Sequence, residues 1–191
     1  GSEMCIRDRS SMAPLGSSIP SFRLMDVVSK QLLSEDDLMA THGLVVAFIC
    51  AHCPYVLHLD EHMASAFNQR IERGMGFVAI SSNDVVNYPQ DHPDRLKGQA
   101  INRGFQFPYL YDEDQKVAKA FGAVCTPDFF VYDGNGLLIY RGRYDGSNHK
   151  NDVPLNGEDL LSAIDTHLEN KVIDANQLPS AGCSIKWKNN L

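Results

Sequence analysis

Two cysteines separated by two residues, Cys50 and Cys53, are the residues of this sequence best suited to chemistry. They follow the apolar run 44–49, which is typical of a buried strand, and they precede a segment with helical periodicity. At a helix N-terminus, unpaired N–H groups and the helix dipole favour a thiolate, which is the reactive form of cysteine. We therefore expect Cys50 to lie at this N-terminus and attack a disulfide, and Cys53 to resolve the mixed disulfide.

The histidine between the two cysteines, His52, is expected to tune their reactivity. A protonated imidazole beside Cys50 would stabilise the thiolate and lower its pKa, and a stabilised reduced form makes the disulfide a better oxidant. Two other interpretations remain, namely inert core cysteines and half of a zinc site. Zinc is disfavoured because a structural site usually needs a second ligand pair, and the sequence has no second C-x-x-C motif.

The elements that must position this pair can be predicted from periodicity and turn signals. Strands are expected at 21–25, 31–33, 44–49 and 76–81, an extended segment at 107–110, and a hairpin at 128–132 and 137–141. Helices are expected at 55–70, 93–103, 114–121 and 158–168. This order fits a mixed β-sheet flanked by helices, with the strand before the cysteines at its centre.

Three longer strings around the cysteines carry a family resemblance. FICAHCPYV at 48–56, CTPDFFVYD at 125–133 and GCSIKWK at 182–188 together resemble the thioredoxin-like proteins of the AhpC/TSA redoxin group. The resemblance covers about residues 19–188. It implies a thioredoxin-like α/β fold, in which a central mixed β-sheet is flanked by helices and extended by an N-terminal β-hairpin.

The resemblance also implies roles for residues outside the pair. A cis peptide bond between Thr126 and Pro127 would present backbone groups for β-like pairing with a substrate peptide or mixed disulfide. Cys125 would lie near the pair, either as a third redox thiol or, in the interpretation that we favour, as a packed core side chain. Cys183, in the C-terminal tail, has three open roles: it resolves a mixed disulfide, links a dimer or packs.

The leading hypothesis is a thiol–disulfide oxidoreductase that uses a redox-active C-x-x-C disulfide. Its expected partners are a protein or small-molecule disulfide or dithiol and an external thiol reductant. No metal and no organic cofactor is expected. His58 and His62 share a helix face at a spacing that suits a metal, but we interpret them as surface histidines.

Two alternatives come from related families. A thiol-dependent peroxidase of the peroxiredoxin type would place its reactive cysteine at Cys53. That alignment puts Cys50 where peroxiredoxins have Thr or Ser, and Val46 where they have proline. Thr126 and Pro127 would lie near the position of their activating arginine. These mismatches weaken the peroxidase hypothesis. A copper-binding module is the other alternative because thiolates select Cu(I), although related copper-delivery proteins resemble C-x-x-x-C.

Composition limits the remaining possibilities. A net charge of −7, with scattered basic residues, argues against a nucleic-acid partner. No run approaches the ~18 apolar residues that a membrane span requires. Five cysteines with one close pair do not form the pattern of a secreted disulfide framework, so we expect a cytoplasmic protein.

We expect one domain over residues 12–191, preceded by a non-native or disordered leader at 1–11. The string MCIRDR at 4–9 resembles the translation of an adaptor used in sequencing libraries. If the leader is foreign, the native N-terminus lies elsewhere, and a cleaved signal peptide stays open.

Overall fold

The structure is a computed structural model that describes residues 7–189 of the 191 residues in the chain. Ten strands lie within this range: β1 (Arg7–Arg9), β2 (Arg23–Asp26), β3 (Leu32–Ser34), β4 (Gly43–Phe48), β5 (Gly76–Ser81), β6 (Tyr109–Tyr111), β7 (Cys125–Thr126), β8 (Asp128–Asp133), β9 (Leu138–Gly142) and β10 (Ala181–Ser184). The α-helices of the same range are α1 (Glu35–Leu38), α2 (Pro54–Ile71), α3 (Pro93–Arg103), α4 (Lys116–Phe121) and α5 (Glu158–Leu168).

Seven of these strands form a mixed sheet in the order β3-β2-β6-β5-β4-β8-β9. Strand β4 lies inside the sheet, parallel to β5 and antiparallel to β8. The hairpin of β2 and β3 extends the sheet beyond β6. The expected fold, a central mixed sheet flanked by helices and extended by an N-terminal hairpin, is therefore confirmed.

Strand β4 is buried on both faces, which explains its uninterrupted apolar sequence. Successive side chains of a strand point to opposite faces of the sheet. Val45 and Ala47 accordingly pack in one hydrophobic core with residues of α2, α3 and α5. Leu44, Val46 and Phe48 pack in a second core with residues of α4. The two cores fix the C-terminal end of β4, where the two cysteines follow.

A second, three-stranded sheet has the order β1-β10-β7, and its pairings are not predicted by the sequence patterns. Residues 7–9 of the expected leader form β1 and pair with β10. The other leader positions, residues 1–6, lie outside the described residues. The foreign origin of the leader and the single domain at 12–191 stay predictions.

Most predicted element bounds agree with the structure to within two residues. Helices α3 and α5 have the predicted ends, whereas α4 begins at Lys116 rather than at residue 114. A capping box begins α1, because the side chains of Ser34 and Asp37 accept each other's backbone amides. Between residues 7 and 189, the structure contains no helix with the length and apolarity that a membrane span needs.

Candidate active site

The two cysteines lie between the end of β4 and the start of α2, and both are completely buried free thiols. Helix α2 begins at Pro54, and Cys53 is its N-cap residue, with a carbonyl that accepts the amides of Val56 and Leu57 at 3.0 and 2.9 Å. The expectation that Cys50 lies at the helix N-terminus is therefore wrong. Pro54 fixes this difference, since proline is favoured at the first helical position and Cys53 precedes it.

Thr126 contacts both sulfurs, and the peptide bond between Thr126 and Pro127 is cis, as predicted. The Thr126 hydroxyl lies 3.6 Å from the Cys50 Sγ. The Cys53 thiol donates to the Thr126 carbonyl oxygen at 3.5 Å. The fold thus brings together four of the predicted site residues, although a role of Thr126 and Pro127 in binding substrate stays a prediction.

The two thiols differ in acidity. Burial raises the pKa of Cys50 well above its usual range, and the hydrogen bond to Cys53 and the charge of Asp91 raise it further. Burial also opposes ionisation of Cys53, but hydrogen bonds to its sulfur outweigh burial and lower the pKa of this thiol to about 6. The groups that make these bonds are Cys50, the Val56 amide, Thr126 and the Cys183 amide. These directions differ from the expectation of a lowered pKa at Cys50.

His52 is held by a buried carboxylate that sequence reasoning missed. Its Nδ1 lies 2.5 Å from Oδ2 of Asp91, which is completely buried. Asp91 also accepts the Ala51 amide at 2.8 Å and the Asn83 side-chain amide at 2.8 Å. A positive charge on His52 is thus compensated by Asp91, and the negative charge of Asp91 raises the pKa of Cys50.

A second buried network supports the backbone at Cys50. The side-chain amide of Gln99 donates to the Cys50 carbonyl oxygen and to Asp60, each at 3.1 Å. Gln99 in turn accepts the hydroxyl of Tyr109 at 2.9 Å. Burial raises the pKa of Tyr109, so this hydroxyl stays a donor at neutral pH. With Asp91 on the Ala51 amide, these contacts hold the turn before α2 in one geometry.

The other predicted thiols differ from the pair. Cys125 is fully buried, and burial raises the pKa of its thiol, so the structure favours its interpretation as a packed side chain. Cys183 is disulfide-bonded and almost completely buried, and its backbone amide bonds the sulfur of Cys53. Any redox role of Cys125 or Cys183 stays a prediction.

One group of side chains in the described range has metal-like spacing. Ligand atoms of Cys50, His52 and Asp91 all lie within 4.8 Å of one another. His52 and Asp91 are engaged with each other, so a metal would have to replace their hydrogen bond. The expectation of no metal therefore stays a prediction.

The predicted histidine pair on α2 is only partly exposed, and each ring has a partner. His58 Nε2 lies 2.9 Å from the Ser147 hydroxyl, and His62 Nδ1 lies 2.5 Å from the Tyr144 hydroxyl. The two rings bond different partners, so they are not simply solvated surface histidines. Their contacts attach α2 to the segment after β9.

Comparisons with known proteins agree with this geometry. A model of the AhpC/TSA family matches residues 15–141. An uncharacterized conserved protein from Geobacillus kaustophilus is 42% identical, with 97% of this chain and 98% of that chain covered and a TM-score of 0.94. A hypothetical protein from Sinorhizobium meliloti is 37% identical, with 95% and 99% covered and a TM-score of 0.92.

More distant structures share the fold alone. The thioredoxin domain of a thiol-disulfide oxidoreductase from Bacteroides vulgatus is 14% identical, with 82% of this chain and 99% of that chain covered and a TM-score of 0.63. A search of the curated proteins finds no match.

Proposed function

We propose that this chain, which belongs to the AhpC/TSA family, is a thiol–disulfide oxidoreductase that uses Cys50 and Cys53. The observation that carries the proposal is the placement of the pair between β4 and α2, where Thr126, next to the cis bond to Pro127, contacts both sulfurs. One thiolate and one thiol, hydrogen-bonded to each other, are the state from which disulfide exchange begins.

The reaction consists of two exchanges at sulfur. A thiolate of the pair attacks a substrate disulfide, forms a mixed disulfide and releases one substrate thiolate. The second cysteine attacks the first, so the second substrate sulfur leaves and the Cys50–Cys53 disulfide forms. Two electrons pass from the pair to the substrate, and an external dithiol returns them. Neither step requires a metal or an organic cofactor.

Redox titration of the pair is the direct test. The full chain is equilibrated across glutathione buffers, and the Cys50–Cys53 disulfide is quantified by alkylation and mass spectrometry. We expect a reversible transition between roughly −270 and −120 mV, the range of known dithiol oxidoreductases. A Cys125→Ser variant is the matched control and should give the same transition. If no Cys50–Cys53 disulfide forms at any potential, the proposal is wrong.

The order of attack is tested by trapping. The hydrogen bonds to the Cys53 sulfur favour a thiolate at this residue, so we propose that Cys53 attacks first, in contrast to the order expected from the sequence. With glutathione disulfide at pH 7, Cys50→Ser should form a mixed disulfide at Cys53 at least about tenfold faster than Cys53→Ser forms one at Cys50. The reverse ratio would restore Cys50 as the attacking cysteine.

Peroxide reduction is the second candidate, and the lowered pKa of Cys53 favours it. A thiolate at Cys53 would take one oxygen atom from hydrogen peroxide, become a sulfenic acid and release hydroxide. Cys50 would then condense with it, releasing water. We expect this oxidation to be slow because Thr126 and Pro127 stand near the position that the activating arginine has in peroxiredoxins. If peroxide consumes Cys53 faster than glutathione disulfide does at equal concentration, the peroxidase becomes the leading function.

The absence of a cofactor is a proposal with its own measurement. Purified protein should carry less than about 0.1 copper per chain and keep its exchange rate after dialysis against a chelator. Copper bound at one equivalent and lost in Cys53→Ser would support the copper-binding alternative.

A further inference from the structure

The C-terminal tail lies along β7, directly beside the redox pair. In the antiparallel pairing of β10 with β7, Cys183 is opposite Thr126 and Ser184 is opposite Cys125. The Ile185 amide extends the pairing by donating to the Val124 carbonyl oxygen at 2.9 Å. The backbone groups that lead into the cis bond are therefore paired with the protein's own tail.

The tail approaches this backbone as closely as glycine permits. A Cβ atom at Gly182 would lie 2.0 Å from the Thr126 carbonyl oxygen and 3.2 Å from Cδ of Pro127. The next residue, Cys183, donates its amide to the sulfur of Cys53. The tail thus covers both the backbone beside the pair and the more acidic sulfur.

Contacts beyond β10 hold the tail in place. The Lys186 amide donates to the Asn83 side-chain oxygen at 2.8 Å, and the Lys186 carbonyl accepts the Asp84 amide at 2.8 Å. Gln115 holds the tail twice, since it donates to the Lys186 carbonyl and accepts the Lys188 amide, each at 2.9 Å. These bonds attach the tail to two separate loops, so its position does not depend on the pairing with β7 alone.

A small cavity lies beside this tail, and neither Cys50 nor Cys53 lines it. It has a volume of about 260 Å³, and its walls include Tyr55, Pro127, Tyr144, Ser180 and Ala181. Binding sites for small molecules usually have volumes of about 300–1,000 Å³. The cavity is therefore near the lower limit for a small ligand, and it is partly formed by the tail itself.

We infer that, with the tail docked, the pair acts on small disulfides and dithiols rather than on protein disulfides. An extended polypeptide binds a sheet edge by adding a strand to it, and the edge at β7 is already occupied by β10. A small disulfide needs no such edge. This inference rests on the proposed oxidoreductase function and names its substrate class.

The reaction on this substrate balances without another reagent. The Cys53 thiolate attacks a small disulfide RSSR, and one RS⁻ leaves. Cys50 loses its proton to the medium and attacks Cys53, and the second RS⁻ leaves. Both leaving thiolates are protonated to RSH, one by the proton that Cys50 releases and one by a proton from the medium, so the reduced pair gives its two electrons to RSSR. A small dithiol such as dithiothreitol reduces the pair again.

Gly182→Ala tests the inference because its Cβ cannot coexist with the docked tail. The matched control is Gly98→Ala on α3, where an added Cβ meets nothing within 4 Å. Reduction of glutathione disulfide and of insulin is measured for the full chain and both variants, with dithiothreitol as the reductant. We expect the wild type and Gly98→Ala to reduce glutathione disulfide but insulin hardly at all. Gly182→Ala should raise the ratio of insulin to glutathione disulfide rates at least about tenfold.

A second variant protects the test against misfolding of Gly182→Ala. Gln115→Ala removes two tail contacts away from the cysteines, and it should raise the same ratio and speed hydrogen exchange at the amides of residues 183–188. Equal insulin and glutathione disulfide rates in the wild type would overturn the inference, as would an unchanged ratio in Gln115→Ala despite faster exchange. If no protein form reduces either substrate, the proposed function itself fails.

Discussion

At the scale of single residues, hydrogen bonds to sulfur distinguish the two cysteines more than nearby charge does. Cys50 is the first of the groups that lower the pKa of Cys53 to about 6, so its replacement should show in the pH profile. A hydrogen bond to a charged group contributes about 1.5–3 kcal/mol, and 1.36 kcal/mol corresponds to one pKa unit. Cys50→Ala should therefore raise the pKa of Cys53 by about 1–2 units.

The measurement is the rate of iodoacetamide alkylation of Cys53 against pH, with Cys125→Ser in each background. A raised pKa leaves less thiolate at pH 7, so Cys50→Ala should react about two- to tenfold more slowly there. Cys50→Ser keeps an O–H donor at the same place and should shift the profile less. Identical profiles for the alanine and serine variants would show that the Cys50 donor does not set the pKa of Cys53.

The residues of the site divide by what their sequence context reveals. The spacing of Cys50 and Cys53 and the string at Thr126 and Pro127 are local signals, and the sequence identifies all of them. Asp91 lies in an irregular polar loop after β5, and nothing local indicates that its carboxylate folds back onto the Ala51 amide. Gln99 lies in a segment with helical periodicity, and nothing local indicates that its side chain bonds the Cys50 carbonyl oxygen.

At the scale of elements, the start of β4 shows how closely neighbouring strands approach. Gly43 has a φ of +135°, and a Cβ atom there would lie 2.0 Å from the Tyr132 carbonyl oxygen on β8. Gly43→Ala should therefore lower the free energy of unfolding by more than about 3 kcal/mol in urea titrations. Gly98→Ala, inside α3, should instead raise it by about 0.5–1 kcal/mol.

The redox pair follows the opposite end of β4, so the folded Gly43→Ala protein should keep the wild-type reduction potential. If the free energy of unfolding of Gly43→Ala is within about 1 kcal/mol of the wild-type value, β4 and β8 separate easily at Gly43.

Element prediction succeeded where periodicity is long and failed where pairing is short and distant. Strand β4 and helices α2, α3 and α5 carry strong local patterns. Strand β10 spans Ala181–Ser184, with small residues, and it exists because β7 lies beside it. Its partner is more than 50 residues away along the chain. Local sequence patterns therefore cannot predict strand β10, and they cannot predict that this strand covers the redox pair.

At the scale of the whole molecule, two hydrophobic cores enclose the sheet, and polar groups buried between elements carry the pH dependence. Asp128 begins β8 opposite Phe48 and is almost completely buried. It accepts the Ser10 hydroxyl at 2.8 Å and the Phe129 amide at 3.1 Å. Burial nevertheless dominates and raises the pKa of Asp128 to about 7.

This raised pKa predicts that the folded state loses stability as pH rises from about 4 to about 7. An aspartate in the unfolded chain ionises near pH 3.9, so over this interval the folded protein holds a proton that the unfolded chain has lost. Asp128 should therefore lower the free energy of unfolding by about 1.4 kcal/mol for each pH unit in this interval, and by about 4 kcal/mol in total above pH 7. Asp128→Asn cannot ionise, so its free energy of unfolding should improve relative to the wild type by about this total between pH 4 and 7.

Urea unfolding across pH 4–8 measures the difference, and Asp152→Asn at an exposed position is the matched control. Parallel curves for the wild type and Asp128→Asn would mean that Asp128 ionises alike in both states, and that water or a rearranged donor reaches the start of β8.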